Sequence, residues 1–371
     1  MSKQLRIWLF VLLGTLLASS SLLAEGVITM TTSNRVRSSI TLKIKANGYV
    51  SIDGVQESAR TDGYGKDYTL TSQTVTIRGD VTYLNCRDNY LTSLNVTGCT
   101  ALTELYCYDN RLTSLDVSGC TSLTTLECNN NQLTSLEASG CTALTELNCR
   151  NNPLTSINLS GCQSLKEFSW TWGKLTRLEV SGCTAMTSLD CTGNKLTSLD
   201  LSKNVALTTL NCSYNQLSNL DLSDNRALKT LDCVKNQLTS LDLSNHSALE
   251  SLSCGENQLI QLNLSGCSGL KELSCYTNKL IRLDISGCRG LTKLWCIGNQ
   301  LTSLNASGCK SLTELNCNSN PLRRLDVSGC TALTKLDCHK NQLTNLDVSS
   351  CTALKWLYCQ ENQLTNLNAQ G

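Results

Sequence analysis

The chain has 371 residues, with 31 Lys+Arg against 30 Asp+Glu for a formal net charge of +1, and 23 cysteines. A near-neutral chain without a basic run lacks the electrostatic footprint of a nucleic-acid binder and does not favour an anionic membrane surface as partner. It holds only two histidines, His246 and His339. Neither has a nucleophile and an orienting acid beside it, and no Gly-rich phosphate loop precedes a helix, so the sequence reads as a non-enzyme without a cofactor.

Lys3 and Arg6 precede the apolar run Ile7–Leu17, and Ser and Ala follow up to Ala24. A basic start, a short apolar stretch and a small-residue exit predict a signal peptide over residues 1–24. The run is too short for a spanning helix, and no second run of spanning length follows. The mature protein is expected to be exported, to the extracellular space, the cell surface or the periplasm, with no membrane span after cleavage.

Residues 25–80 carry no repeat and are rich in Thr, Val and Ile with period-2 alternation, which predicts strands. Leu42, Ile44, Val50 and Ile52 share a face if Ala46-Asn47-Gly48 forms a three-residue hairpin loop with Gly48 left-handed. Residues 55–67 read as a polar loop. The segment is expected to be a small β-cap over the first edge of the repeat region, because open repeat ends need covering.

From residue 81 to 371 the chain repeats. Cys86, Cys107, Cys128 and Cys149 recur with a 21-residue period, and the series resumes at Cys191 and runs to Cys359. Trp170 fills the one broken slot. An Asn follows three residues later in each of the 14 copies except the Trp170 copy, which has Gly173. Each copy holds two similar halves, such as Leu102-x-x-Leu105-x-Cys107-x-x-Asn110 and Leu112-x-x-Leu115-x-Val117-x-x-Cys120. Both alternate at period 2, and neither offers the 10–12 residues of 3.6 periodicity that a helix needs. The fold class is therefore mainly β: a leucine-rich-repeat solenoid of about 14 coils, with short parallel strands on both faces and a small N-terminal β-cap. An inward Asn at each corner supplies donors and acceptors to backbone groups that have no ladder partner there.

The pattern from Leu102 through Asn110 and Leu112, followed by Leu115-Asp116-Val117-Ser118, resembles the 21-residue, cysteine-ladder class of bacterial leucine-rich repeats found in internalin-like surface proteins. The resemblance covers residues 81–371. It implies a curved or ribbon-like solenoid and a role in surface adhesion. The family's helical N-terminal cap and its C-terminal wall-anchoring signal have no counterpart read in this sequence.

All 23 cysteines fall into two ladders of core-facing slots. Stacked Cβ atoms ~4.8 Å apart are wider than the ~3.8 Å that a disulfide favours, so free thiols are expected. In two copies Asn204 and Asn225 take the second Cys slot, so these cysteines substitute for a second Asn ladder. His246 takes the same slot in the next copy and reads as structural, whereas His339 reads as a surface residue. With no C-x-x-C and no Cys/His cluster at ligand spacing, no metal site is expected. A stripe of Asp, Asn or Glu after each second-half Leu, Asp116 and Asp200 among them, reads as acceptors for neighbouring Ser hydroxyls; the competing reading is a cation or glycan-hydroxyl stripe. In the irregular copy, Trp170 overfills a Cys slot and Gly173 frees space beside it, while Trp172 points outward.

The leading function is an exported protein-recognition or adhesion module that binds a surface or host protein through the outward strand face. A passive structural envelope component and a glycan-binding solenoid are the alternatives. Outward positions on the first-half strands are mostly Thr, Ser, Asn, Asp or Glu. Tyr106 and Tyr108 depart from that background near the start, as do Tyr276, Trp295, Ile297, Trp356 and Tyr358 in coils ten to fourteen. These seven residues are the expected partner-binding residues. Residues 364–371 end in mid-coil, and that edge is the expected place for self-association.

Overall fold

The computed structural model describes residues 26–369, so the signal-peptide reading of residues 1–24 lies outside the described residues. Two compact units divide at Pro153 and Leu154.

The first unit begins with β1 (Val27–Thr32), β2 (Ser39–Ala46), β3 (Ser51–Asp53), β4 (Lys66–Thr69) and β5 (Thr74–Arg78). Its first coil supplies β6 (Val81–Asn85) and β7 (Leu91–Asn95). Alternation fixes the buried faces: Ile28 and Met30 on β1, Ile40, Leu42 and Ile44 on β2, and Val75 and Ile77 on β5 are all buried. β1 pairs antiparallel with β7, and β2 pairs antiparallel with β6, so each face of the first coil is closed by its own strand. Ladder groups that would otherwise form an open edge are thereby satisfied.

The hairpin expected around Ala46-Asn47-Gly48 does not form. Gly48 is left-handed, at φ +96°. However, β2 pairs with β4 and β6, while β3 crosses to pair with β5. The Asn47 N–H donates to the carbonyl of Asp80 (2.9 Å), which ties the turn to the strand leading into the first coil. Val50 is buried and Ile52 half-buried, on a different sheet from Leu42 and Ile44.

After the first coil, each copy lays down strands of three residues. In the first unit, Glu104–Tyr106, Thr125–Glu127 and Glu146–Asn148 stack parallel on β6. On the other face, Ser114–Asp116 and Ser135–Glu137 pair in the same way. In the second unit, a ten-stranded parallel sheet runs from Glu167–Ser169 to Trp356–Tyr358. Its second face is less continuous, carrying pairs such as Ser240–Asp242 with Gln261–Asn263 and Ser303–Asn305 with Arg324–Asp326. Among the described residues there is no α-helix, and no helix is long and apolar enough to cross a membrane.

The core of each unit is Leu plus Cys. Leu231, Leu252, Leu273 and Leu294 are buried in register, and Cys233, Cys254, Cys275 and Cys296 stack beside them. None of the 23 cysteines forms a disulfide; all are buried except Cys359, which is half-buried. Burial pushes thiols such as Cys86, Cys191 and Cys275 up to about 12, because a thiolate there has neither water nor a cation.

The Asn ladder closes each corner. Asn236 Nδ2 donates to the carbonyls of Cys212 (3.0 Å) and Cys233 (3.1 Å), and its Oδ1 accepts from Leu217 N–H (2.9 Å). The second ladder repeats this with thiols. Cys267 Sγ donates to the carbonyl of Leu243 (3.2 Å), 24 residues back. Asn204 Nδ2 makes the same reach to Val180 (3.1 Å) and adds a bond to Cys183 (3.2 Å). Cysteine and asparagine are thus alternatives at one slot, but the amide brings an oxygen that nothing uses: Oδ1 of Asn204 and of Asn225 is buried without a partner. His246 fits the slot through Nε2, 3.1 Å from the carbonyl of Leu222.

Candidate functional site

The first-half strand defines the surface on which candidate residues stand. Its Cys points inward, the next residue points outward, and the one after that turns the corner. That corner residue is left-handed in both units, for example Asp109 (φ 54°), Asn130 (53°), Trp172 (53°), Tyr214 (56°), Lys235 (57°) and Thr277 (50°). The reversal aims the following Asn back into the core. Gly, Asn and Asp adopt this region readily, whereas aromatic and β-branched residues do so only under strain.

The expected binding residues fall into separate groups. In the first unit, Tyr106 and Tyr108 are half-buried and tied to their neighbours. The Tyr106 ring lies 5.5 Å from that of Tyr83, and its hydroxyl donates to Glu104 Oε2 (2.9 Å), which pushes the phenol up to about 12. The Tyr108 hydroxyl meets the Arg87 guanidinium, which also sits 5.4 Å from its ring centre.

In the second unit, Tyr276, Trp295 and Ile297 point outward on adjacent coils, Trp295 in its strand and the other two just past strand ends, but are half-buried rather than fully exposed. Tyr276 lies across Gly255, where a Cβ would meet its ring at 2.4 Å, and its hydroxyl reaches Glu256 (3.4 Å). Burial is the main cause that raises its phenol, with Glu256 adding to it. Lys293 Nζ sits 5.7 Å from the Trp295 ring centre and pairs with Glu272 Oε1 at 2.7 Å. Trp356 and Tyr358 are more exposed, at 53% and 42%. The intervening coils carry Asn316, Asn318, Asp337 and His339, so these two are not continuous with the Trp295 group. His339 is held by Asp337, with Nδ1 2.6 Å from Oδ1.

Two surface features escaped the sequence reading. Trp172 was expected to point outward and is 69% exposed, but its partnership with Tyr214 was not foreseen. The two occupy the same corner slot two coils apart, and their rings lean together to 5.2 Å at 53°. Gly193, between them, permits this: a Cβ there would sit 2.5 Å from the indole. The signal was available as aromatic, glycine, aromatic at successive copies of one slot. Ile260 and Ile281 form a second exposed pair, one slot on neighbouring coils of the opposite half.

The acidic stripe behaves mainly as turn chemistry. Asp116, Asp200 and Asp284 each accept the backbone N–H of the Ser two residues on, at 2.8–2.9 Å. The expected hydroxyl donor is secondary at Asp200 and Asp284, where the backbone bond is the leading reason that the carboxyl is held below its usual range. Where Asn204 and Asn225 replace Cys, residues 198–200 and 219–221 form no strand, and an open polar groove of about 370 Å³ lies there, lined by Arg177, Glu179, Asp200 and Asp221 among others. Among the described residues, no group of three or more His, Cys, Asp or Glu is placed to hold a metal ion.

A stack of 21-residue coils with inward Leu, Cys and Asn ladders and outward short strands defines a leucine-rich-repeat protein. Residues 121–161 match the sequence profile of leucine-rich repeats in two copies. The functional domain of InlJ from Listeria monocytogenes, which includes a cysteine ladder, is 34% identical, with 80% of this chain and 67% of that one covered and a TM-score of 0.61. The chain belongs to this internalin-like, cysteine-ladder family of leucine-rich-repeat proteins. A leucine-rich-repeat protein of Leptospira interrogans (24% identity, 72% and 80% covered, TM-score 0.51) shares the fold. So does the leucine-rich effector protein YopM from Yersinia pestis (24%, 72% and 74%, 0.53). No curated protein matches at the sequence level. Proteins of this fold typically serve as interaction modules rather than enzymes.

Proposed function

We propose that the chain is an exported, non-enzymatic recognition and adhesion module, and that it binds a protein partner through the outward face of its first-half strands. One observation carries this reading: Tyr276, Trp295 and Ile297 stand together on adjacent coils, Trp295 in a strand of a parallel sheet and Tyr276 and Ile297 just past their strand ends, where the other outward positions are mostly polar. Aromatic anchors on a preorganised platform are the usual centre of an interface, and truncating one typically costs ~2 kcal/mol or more. Tyr106, Tyr108, Trp356 and Tyr358 extend the contact in this reading. Export rests on residues 1–24, and placement at a cell surface or outside the cell rests on kinship with internalin-like proteins.

The test is a pull-down of cell-surface and matrix proteins with the wild type and with the Tyr276→Ala, Trp295→Ala double variant. A partner retained by the wild type and lost from the variant, at an unchanged melting temperature, supports the proposal. Retention of that partner at wild-type affinity places the site elsewhere.

A further inference from the structure

The corner row of the second unit has a feature that protein recognition does not require. Three consecutive coils place Trp172, Gly193 and Tyr214 at one slot, whereas later coils place the non-aromatic Lys235, Glu256, Thr277, Gly298, Ser319, Lys340 and Glu361 there. Trp172 and Tyr214 adopt left-handed backbone at φ 53° and 56°, which their side chains disfavour, where neighbouring copies use Asn and Asp without strain. The indole is seated by an absence, since it lies on Gly193 where any Cβ would collide with it. Its outer face remains open, with 69% of the residue exposed.

Hydrogen-bonding groups flank this platform on the strands that lead into it. Asp190 and Asn211 are register partners on adjacent strands. Asp190 Oδ1 accepts from Thr192 N–H (3.1 Å) and its hydroxyl (2.6 Å). Asn211 Oδ1 accepts from Ser213 N–H (3.1 Å) and its hydroxyl (2.7 Å). Each side chain is thereby fixed through one atom. Among the described residues, Asp190 Oδ2 and Asn211 Nδ2 make no protein hydrogen bond. They offer an acceptor and a donor one strand apart, ~4.8 Å. Asp190 and Asn211 end their strands, and only two residues separate each of them from the corner slot of its coil.

We infer that Trp172, Gly193 and Tyr214, with Asp190 and Asn211, form a binding subsite for a neutral carbohydrate. A pyranose ring presents an apolar C–H face for the indole and vicinal hydroxyls that both donate and accept. That combination matches an aromatic ledge, open at Trp172 and flanked at Tyr214 by Lys235 Nζ 4.9 Å from the ring centre, beside one acceptor and one donor. A basic peptide would leave the Asn211 amide unused. An acidic peptide would face the Asp190 carboxylate. The subsite is separate from the Tyr276–Trp295 surface and stands or falls independently of it.

The test is native affinity electrophoresis in gels containing a mixed-linkage β-glucan, a xyloglucan or a galactomannan. The wild type, Trp172→Asn, Gly193→Ala, and the Tyr276→Ala, Trp295→Ala double variant are compared. Asn occupies the Trp172 slot at Asn130 and Asn151 with φ of 53° and 55°, so Trp172→Asn is expected to fold with an equal or higher melting temperature. The wild type should be retarded by at least one polysaccharide. Trp172→Asn should weaken that binding by tenfold or more, and Gly193→Ala should weaken it by displacing the ring. The double variant should bind as the wild type does. No retardation of the wild type in any gel overturns the inference. So does retardation undiminished in Trp172→Asn. Loss of a protein partner on Trp172→Asn, with no polysaccharide bound, also overturns it and makes the ledge part of a protein interface.

Discussion

Replacing Asn236 by Ala tests whether the inner amides carry the corners. Besides a long bond to Val234 O (3.5 Å), the side chain makes three bonds at 2.9–3.1 Å, to Cys212 O, Cys233 O and Leu217 N–H. Counting each at ~1 kcal/mol would give about 3 kcal/mol. The structure argues for a different partition. Cys212 O also accepts from Asn215 (3.1 Å), and Cys233 O also accepts from Asn257 (3.0 Å), so each carbonyl keeps one donor. Leu217 N–H has no other acceptor among the described residues, and Leu217 is fully buried. The loss is therefore dominated by one orphaned donor, ~1–3 kcal/mol, and it should be localised. Urea unfolding under reducing conditions should show a lower midpoint at an unchanged slope. Amide exchange should accelerate at Leu217 far more than at Asn215 or Lys235. A loss smaller than ~0.5 kcal/mol, the low end for a single hydrogen bond, would refute this account. Uniform loss of protection across the coil would do the same.

The thiol ladders predict alkaline instability. Cys86, Cys149, Cys191 and Cys275 are pushed up to about 12 by burial, whereas an unfolded thiol titrates near ~8.5. Below ~8.5 both states hold the proton and the contribution is intact; between there and about 12 only the unfolded chain loses it, so stability falls as pH rises. At pH 10 each such thiol forfeits roughly 2 kcal/mol, and a urea midpoint that stays flat from pH 8 to 10 contradicts this. Asn204→Cys with Asn225→Cys removes two partnerless buried oxygens and should stabilise by about 1 kcal/mol or more per site; a lower midpoint would mean that water already satisfies them. Trp170→Cys with Gly173→Asn should also stabilise, because the indole Nε1 is buried without a partner and occupies the space where a Gly173 Cβ would meet it at 2.3 Å. A destabilised double variant would show that Trp170 packs better than its orphaned N–H implies.

The repeat was legible because one period controls both the hydrophobic ladder and the corner. Leu105, Cys107 and Asn110 recur together in copy after copy, and the structure puts Leu and Cys inward and folds Asn onto the backbone. The hairpin at Asn47-Gly48 was misread because alternation fixes which side chains face the core, not which strand lies alongside. β2 had a longer strand to meet in β6, and only the three-dimensional closure of the first coil reveals it. The site was legible in direction but not in exposure. Period 2 correctly turned Tyr276 and Trp295 outward. It carried no information about Gly255 on the preceding coil, whose missing side chain lets Tyr276 lie down and half-bury itself. Trp172 and Tyr214 escaped for the same reason, since their association depends on Gly193, one coil away in space and a whole repeat away in sequence.

The doubly bonded cysteine carbonyls bear on how such a chain changes length. Each accepts one amide from its own coil and one from the next, as Cys254 O does from Asn257 and Asn278. Every regular coil of this kind therefore offers its successor the same acceptor and asks its predecessor for the same one, whereas the coil with Gly173 in the Asn slot asks for none. Excising one whole repeat between equivalent positions, or duplicating it, rejoins matching halves of this bond and leaves no corner without a partner. Adding or removing a whole regular coil would thus preserve the corner bonding of its neighbours. Coil number is consequently free to drift by whole units, while the position of an irregular coil such as the one holding Trp170 and Trp172 is not interchangeable with any other.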